Sequence, residues 1–112
     1  RFPEDVSPDV IIVSAAFTRT TGQAHWEVLL RARAIENQAY VIASAQGGEH
    51  NSGRETWGHS MIIGPWGDII AECKFGTNIV LGEVDMKKLQ TVRENLPSLE
   101  HQEFNLRKRL SC

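Results

Sequence analysis

The side chains able to bind metals or act as nucleophiles are few and lie far apart in the sequence. No Cys-x-x-Cys or paired-histidine motif occurs among the histidines and cysteines, so the spacing typical of metal ligands is missing. We therefore predict no metal site. The residues concerned are His25, His50, His59, His101, Cys73 and Cys112.

Three candidate nucleophiles also lack the surroundings that catalysis requires. Ser60 lies in Gly-His-Ser-Met-Ile, which is close to a serine-hydrolase elbow, but that motif needs glycine where Ile62 continues a predicted strand. Cys73 has one lysine beside it, which is weak support for a reactive thiolate, and we expect a passive surface thiol. Cys112 lies at the C-terminus without a positioned base. These residues by themselves predict no catalytic group in this chain.

The first predicted helix carries polar and apolar side chains on one stripe. Trp26 and Leu30 mark its apolar face, and Arg33 and Asn37 fall on the same stripe. Glu36 follows Arg33 at the spacing of an ion pair. Two interpretations remain open from the residues alone. The pair is either exposed on the flank of the helix, or part of a buried polar network under an active-site loop or at a subunit contact.

The elements that position these residues follow from hydrophobic periodicity and capping signals. Two strands flank the first helix, which predicts a β–α–β unit and a mixed α/β core. Thr20 and Gln23 have capping-box spacing at the start of that helix, and Asp85 is the predicted cap of the second. The composition of residues 46–58 predicts a long polar loop. The predicted strands are 9–14, 40–45, 59–63, 68–72 and 78–84, and the predicted helices are 22–38 and 86–95.

Composition and charge indicate one globular domain. The 112 residues are 41% hydrophobic and 23% charged, which is ordinary globular usage. We predict a domain over 1–95 and a polar tail over 96–112, with Arg107-Lys108-Arg109 as a solvated end. A net charge of −2 and the lack of a long apolar run predict neither a nucleic-acid nor a membrane partner. Two cysteines fit a reducing, cytoplasmic setting.

A long and specific pattern runs from residue 16 to 38: Ala-Phe-Thr-Arg-Thr-Thr-Gly-Gln-Ala-His-Trp-Glu-Val-Leu-Leu-Arg-Ala-Arg-Ala-Ile-Glu-Asn-Gln. It continues through 40–43, 58–62 and 65–67. On these residues the chain resembles the nitrilase superfamily of carbon–nitrogen hydrolases, in particular its Nit-type amidase branch. The resemblance implies an α/β (α+β) fold that forms half of the family's α-β-β-α sandwich.

The catalytic machinery that the resemblance implies does not map onto this chain. The family uses a Glu–Lys–Cys triad, with Glu as general base, Cys as nucleophile and Lys as the cation that stabilises the tetrahedral intermediate. The first four residues, Arg-Phe-Pro-Glu, resemble the end of the family's nucleophile block, Cys-Tyr-Asp-Leu-Arg-Phe-Pro-Glu. The cysteine, and with it the Glu and Lys, would therefore precede Arg1, and Glu4 matches the end of the block rather than the base. We expect no catalytic residue and no cofactor here, and no turnover by the chain as printed.

The resemblance also assigns roles to residues of the loop and helix. Phe17 and Thr18 match the loop near the acyl pocket, so we predict that they bind substrate. Five further residues match the family helix that opens with His-Trp and contains Arg-Ala-x-Glu-Asn, and the match favours the polar-network interpretation of that helix. The residues assigned to structure or subunit contact are His25, Trp26, Arg33, Glu36 and Asn37.

Two features depart from the family pattern. Family members place a helix of roughly ten residues between Arg-Phe-Pro-Glu and the next strand, whereas only residues 5–8 separate Glu4 from Asp9, too few for that helix. Since that helix belongs to the family's dimer contact, its loss puts the usual dimer in doubt. Gly64 stands where aspartate is common, which we expect to alter only the turn.

Two functional hypotheses follow. The first is a fragment of an amidase that cleaves a small linear amide, such as one derived from a dicarboxylate or its 2-oxo analogue. Its partners would be a small-molecule amide and either a second copy in a homo-oligomer or a missing N-terminal half. The second is a non-catalytic interaction or regulatory module that retains half of the nitrilase-like sandwich.

Overall fold

The computed structural model describes residues 7–74, 76 and 78–97. The predictions about the first four residues, His101, the Arg107-Lys108-Arg109 cluster and Cys112 fall outside these residues, as does most of the predicted tail. In chain order the elements are β1 (Val10–Ala15), α1 (Arg19–Thr21), a π-helix (Gly22–Trp26), α2 (Glu27–Asn37), β2 (Tyr40–Ala45), β3 (Gly47–Glu49), β4 (Glu55–Trp57), β5 (Ser60–Ile63), β6 (Ile69–Cys73) and α3 (Met86–Asn95).

Four strands form one mixed sheet in the order β1, β2, β5, β6. β1 and β2 are parallel, with Val10 opposite Tyr40 and Ala15 opposite Ala45. Parallel neighbours need a long crossover, and the continuous helical segment between them supplies it. The predicted β–α–β unit is therefore confirmed. β5 runs antiparallel to both β2 and β6.

β5 and β6 correspond to the strands predicted at 59–63 and 68–72, and they form a hairpin around Gly64-Pro65-Trp66-Gly67. The Gly64 N–H donates to the Asp68 carbonyl at 2.8 Å, and the Gly67 N–H donates to the Gly64 carbonyl at 2.9 Å. A Cβ at position 64 would lie 2.6 Å from Asp68 Oδ1. A side chain at 64 would therefore require the carboxylate of Asp68 to shift.

The helical segment covers one face of the sheet, called here the helix-covered face. Trp26, Leu30 and Ala34 project from the helix onto it and are buried with it in one apolar core. Burying side chains of this size stabilises a fold by about 1.5–3 kcal/mol each. The sheet residues that define the helix-covered face are Val41, Ala43, Met61 and Ile63.

Side chains alternate along a strand, so the intervening residues lie on the opposite side, called here the outer face. A nearly continuous β-branched run such as that of β1 is typical of a strand covered on both sides, but Ile12 has 76% of its surface exposed. Part of the outer face is covered, because a Cβ at Gly82 would lie 3.0 Å from Ile62 Cδ1. The residues that define the outer face are Ile12, Ser14, Ile42, Ser44 and Ile62.

Residues 78–84 do not form the predicted strand. They have no regular secondary structure and join no ladder with the described strands. Gly82 instead packs across the outer face against Ile62 and Ile70. A β-branched run becomes a strand only where a partner edge is available, and Gly82 lies over a face of the sheet rather than beside an edge.

The stretch predicted as a polar loop, 46–58, contains a small hairpin. β3 and β4 form a second, two-stranded sheet in which Gly47 lies opposite Trp57 and Glu49 lies opposite Glu55. Glycine is depleted in strands, so the composition of β3 gave no local signal for it.

The first helix begins earlier than the capping box predicts. Arg19 is its first residue, and Thr18 occupies the N-cap without a side-chain capping bond. The Thr18 hydroxyl donates to Thr21 Oγ1 at 3.1 Å. The predicted capping box of Thr20 and Gln23 is therefore wrong, because both residues lie inside the helical segment.

The second helix, α3, begins as predicted. The Asp85 carboxylate accepts from the N–H groups of Lys87 and Lys88 at 2.9 and 3.3 Å, which satisfies two amides that a helix start leaves unpaired. The hydroxyl of Tyr40 donates to the Asp85 carbonyl at 3.1 Å and accepts from the Asp85 N–H at 3.0 Å. These bonds fix the start of α3 against the first residue of β2.

Candidate functional site

A cleft of about 710 Å³ opens at the end of the sheet where β2 and β6 finish and β5 begins. Its floor includes Ser44, Ser60 and Cys73, and Ser60 lies opposite Cys73 in the ladder. Loops at the carboxyl ends of parallel strands are common ligand sites in α/β proteins. This cleft is therefore the candidate functional site.

Ser60 is committed to the sheet, as its sequence context indicates. It is the first residue of β5, and its hydroxyl oxygen accepts from the Ala45 N–H at 3.0 Å. The same hydroxyl lies 3.4 Å from the Ala45 carbonyl. These contacts extend the pairing of β2 and β5 beyond its last regular pair, so the rejection of a serine-hydrolase elbow is confirmed.

Cys73, which the sequence predicts to be a passive surface thiol, lines the cleft. Its thiol lies 3.9 Å from the Gly76 carbonyl. The sequence could not show that Cys73 lines the cleft, because its position depends on pairing with Ser60 of β5, which lies thirteen positions earlier in the chain.

One wall of the cleft is the segment 57–59. The rings of Trp57 and His59 stack with centroids 3.9 Å apart and planes 6° apart. Gly58 and His59 both have positive φ, of 70° and 62°. Such a backbone persists only where its surroundings hold it, at a cost of about 1–3 kcal/mol for the non-glycine residue. The indole N–H of Trp26 provides one restraint, donating to the His59 carbonyl at 2.8 Å in a buried bond.

The same wall is tied to the loop that precedes the first helix. The Trp57 N–H donates to the Phe17 carbonyl at 2.9 Å, and Thr18 forms a bridge with Thr56. A Cβ at Gly22 would lie 2.3 Å from the Cβ of Trp57, so only glycine fits there. Gly22 opens the π-helix, a type of helix that often occurs at functional sites.

The predicted substrate-binding residues support the cleft without lining it. Phe17 is half-buried and packs edge-to-face on Trp26, with centroids 5.0 Å apart. Thr18 is exposed and acts through its bridge to Thr56. Neither residue is among the side chains that line the cleft. Contact of Phe17 or Thr18 with substrate stays a prediction.

The residues predicted for structure or subunit contact divide into two groups. Trp26 is 2% exposed and central to the core, whereas His25 is exposed. Arg33 and Glu36 form an ion pair at 2.5 Å with about half of each side chain exposed. Leu30 and Ala34 define the buried line of α2, and Arg33 is rotated by about 100° from Ala34.

The buried polar network that the family match favoured is therefore wrong within this chain. Asn37 donates to the Arg33 carbonyl at 3.0 Å, a bond along the helix rather than into the core. The exposed-pair interpretation describes the structure. A role of these residues in subunit contact stays a prediction.

The cleft also contains a charged pair that sequence reasoning missed. Arg19 and Glu55 both line it, and their side chains meet at 3.2 Å. They lie 36 positions apart, and neither belongs to a motif that predicts their contact. The Thr18–Thr56 bridge and the bond from the Trp57 N–H to the Phe17 carbonyl bring their two segments together.

Two features are absent from the described part of the chain. In residues 7–74, 76 and 78–97, no cluster of three or more histidine, cysteine, aspartate or glutamate side chains is arranged to hold a metal ion. In the same part of the chain, no helix has the length and apolar character needed to cross a membrane.

A mixed sheet with a helical crossover on one side, and a cleft at the end of its parallel strands, defines an α/β protein. The sequence profile of carbon-nitrogen hydrolases matches residues 7–94. The chain belongs to the carbon-nitrogen hydrolase family, which confirms the resemblance read from its sequence.

Particular relatives share much of the sequence. Deaminated glutathione amidase of Mus musculus is 45% identical over 112 residues, which cover 95% of this chain and 35% of the relative. The nitrilase and fragile histidine triad fusion protein of Caenorhabditis elegans is 49% identical over 92 residues, covering 82% of this chain and 21% of the relative. The chain thus spans about a third or less of these relatives.

Solved structures agree with this fold. The crystal structure of the C. elegans NitFhit protein matches with a TM-score of 0.78 and 47% identity, covering 84% of this chain and 23% of that protein. Nit3 of Saccharomyces cerevisiae, a member of the nitrilase superfamily, matches with a TM-score of 0.79 and 32% identity over 86% of this chain and 35% of that protein. The predicted mixed α/β fold, part of a nitrilase-type sandwich, is confirmed.

Proposed function

We propose that this chain supplies one sheet and one wall of the substrate cleft of an amidase that cleaves a small linear amide. The observation that carries the proposal is the cleft at the end of the β1–β2 pair, in a family member 45% identical to an amidase. In this proposal the nucleophilic cysteine, the glutamate base and the lysine are supplied by a part of the family domain that matches no residue of this chain.

The cleft has the features that such a role needs. Stacked rings of Trp57 and His59 form a rigid, partly apolar wall against which a short carbon chain can lie. Hydroxyl groups of Ser44 and Thr56, both lining residues, add polar contacts. Holding an amide in one orientation is a large part of what an active site contributes to rate. No cofactor enters this mechanism, and we place the protein in the cytoplasm, as its few cysteines predict.

A chimera tests the proposal. The segment of the mouse amidase that matches this chain is replaced by this chain, and the purified product is assayed on a panel of small ω-amides. We expect turnover within about tenfold of the intact relative, because the chain would restore the missing sheet and wall. The relative lacking that segment should be inactive, since a cleft without this wall cannot orient an amide.

The controls separate the catalytic groups. The chain alone should show no turnover, because loss of a nucleophile alone can cost about a millionfold in rate in a protease. Cys73→Ala in the chimera should leave turnover in place. A folded chimera without activity on any amide would refute the proposal, and loss of activity in Cys73→Ala would identify Cys73 as a nucleophile that the proposal overlooks.

The outer face supports a second candidate, a non-catalytic interaction module. Ile12 is 76% exposed, although the opposite face of the same strand is packed against the core. Such exposure of a large apolar side chain is typical of a surface that another protein covers. In that case the outer face would bind another protein, or a second copy in a homo-oligomer. A chimera that folds but stays inactive, together with a stable complex lost in Ile12→Lys, would favour this alternative.

A further inference from the structure

Among the described residues that line the cleft, Thr56 carries a buried hydroxyl group. Thr56 is 4% exposed, whereas Ser44 is exposed and the hydroxyl of Ser60 is bonded to the backbone of β2. The backbone of Thr56 is held in place, because Thr56 lies in β4 and forms a bridge with Thr18. The orientation of its side chain therefore depends on the group that the hydroxyl contacts.

The hydroxyl of Thr56 is bound by His50. Nε2 of His50 lies 2.8 Å from Thr56 Oγ1, and within the described part of the chain this is the one hydrogen bond of the Thr56 side chain. A hydroxyl offers one donor and two acceptor positions, so the contact with His50 leaves the others for a ligand. His50 is not among the residues that line the cleft, so it acts on the cleft through Thr56.

The backbone of His50 is fixed by the hairpin of β3 and β4. Its N–H donates to the Arg54 carbonyl at 2.8 Å, and its carbonyl accepts from the Gly53 N–H at 2.9 Å. Arg54 Nη2 donates to the Ala16 carbonyl at 3.1 Å, which ties the same hairpin to the loop before the first helix. The imidazole is thus attached to a backbone that is restrained on both sides.

The imidazole of His50 can act as donor or as acceptor toward Thr56. In residues 7–74, 76 and 78–97, Nδ1 of His50 makes no hydrogen bond, so nothing in this part of the chain fixes which ring nitrogen carries the proton. When Nε2 donates, the hydrogen of the Thr56 hydroxyl is left for a ligand oxygen. When Nε2 accepts that hydrogen, the Thr56 oxygen is left to accept from a ligand N–H.

We propose that His50 is a positioning residue, which holds the Thr56 hydroxyl in the orientation that contacts the amide in the cleft and lets it donate or accept there. This adaptability suits amide hydrolysis, because an amide has both N–H donors and a carbonyl acceptor, whereas a carboxylate product only accepts. The identity of the ligand rests on the proposed function, whereas the orientation of the hydroxyl rests on His50 and Thr56.

NMR of the isotope-labelled chain tests the contact itself and needs no ligand. Three-bond couplings to Cγ2 of Thr56 report whether its side chain occupies one rotamer or several. We expect one rotamer in the parent chain and in His50→Gln, because the side-chain amide of glutamine also donates and accepts. His50→Leu should give averaged couplings, since leucine cannot bind the hydroxyl.

The chimera with the mouse amidase tests the role in turnover, with kcat/KM measured on butyramide and succinamate. We expect His50→Leu and Thr56→Val each to lower kcat/KM about tenfold, the effect of about one hydrogen bond. The double variant should lower it no further, because both changes remove the same contact. His50→Gln and Thr56→Ser keep the hydrogen bond and should stay within about threefold of the parent chimera.

Thr21→Val is the matched control. The Thr21 hydroxyl also contacts a side chain, that of Thr18 at 3.1 Å, but Thr21 does not line the cleft. Its loss should leave kcat/KM within about threefold of the parent chimera. A fall as large as that of Thr56→Val would show that any hydroxyl near the cleft has this effect, and would overturn the specific role of His50 and Thr56.

Three further results would overturn the inference: averaged couplings of Thr56 in the parent chain, losses that multiply in the double variant, or a loss in His50→Gln as large as in His50→Leu. The first of these needs no variant, so the inference stays testable if His50→Leu does not fold. Failure of the proposed function is a separate result. An active chimera that is indifferent to His50→Leu keeps the function and rejects the role of His50. A folded chimera that cleaves no amide refutes the function, even where the rotamer of Thr56 depends on His50.

Discussion

The two faces of the four-stranded sheet both carry large apolar side chains, but these side chains differ in how deeply they are buried. On the helix-covered face, Met61 and Ile63 are almost fully buried under the first helix. On the outer face, Ile62 is covered by residues near Gly82, while Ile12 is exposed. Both faces carry isoleucine, so the presence of large apolar side chains does not by itself say which face is packed within this chain.

The difference teaches where the stability of the described fold resides. Contacts of Trp26, Leu30 and Ala34 with the sheet form the one apolar core of buried residues in the described chain. The outer face is covered at Ile62, but the described part of the chain leaves Ile12 open. The helix-covered face holds the described fold together, and the outer face is open at Ile12.

The largest effect is expected at the helix-covered face. Trp26→Ala should lower the free energy of unfolding by about 3–5 kcal/mol, because it removes a buried aromatic side chain and leaves a cavity. It also removes the hydrogen bond to the His59 carbonyl that restrains the cleft wall. Denaturation in urea followed by circular dichroism measures the change. A loss below about 1 kcal/mol would show that this face is not the main core.

A smaller effect is expected where the outer side of β2 meets α3. Tyr40→Phe should cost about 1 kcal/mol, because the buried Tyr40 hydroxyl makes two part-buried hydrogen bonds to the backbone of Asp85 that phenylalanine cannot make. The same denaturation experiment applies. Thr91→Ala is a suitable control, since it also removes a hydroxyl bond to a backbone carbonyl, but on the exposed side of α3. Equal costs in the two variants would contradict the importance of this contact.

The outer face should govern association rather than stability. Ile12→Lys should change the free energy of unfolding by no more than about 0.5 kcal/mol, because the side chain is already exposed. The parent chain should self-associate and bind a hydrophobic dye, and Ile12→Lys should reduce both, as sedimentation velocity and dye fluorescence would show. Val28→Lys changes an exposed apolar residue on α2 instead. If only Val28→Lys disrupts association, the helix is the contact surface.

The smallest effect is expected on the solvent side of α2. Arg33→Ala should alter stability by less than about 0.5 kcal/mol, because the Arg33–Glu36 pair is exposed. A buried network would instead lose about 2–4 kcal/mol on losing one partner. Chemical denaturation distinguishes the two values. A large loss that appears only at high protein concentration would place this pair in a subunit contact.

Local signals predicted the parts of the fold that depend on neighbouring residues. The strands at 10–15 and 40–45 follow from their β-branched runs, and the cap at Asp85 follows from its side chain. The hairpin turn at 64–67 follows from proline and glycine. Each of these is decided within a few residues, so the sequence contains the relevant information.

The features that the sequence did not predict share a different cause. Residues 78–84 have the composition of a strand, but no sequence pattern states whether an edge is free to pair with them. The contact of Arg19 with Glu55 spans 36 positions. The position of Cys73 in the cleft depends on its pairing with Ser60. All three depend on how distant elements meet.

The sequence by itself determined the family, the β–α–β unit and the order of most elements, because motif, periodicity and capping are properties of adjacent residues. Only the tertiary structure decided which face of the sheet is packed, that Arg33 is exposed, and that Arg19, Glu55 and Cys73 share one cleft. Burial and the meeting of side chains across a cleft depend on the packing of distant segments. No local pattern encodes that packing.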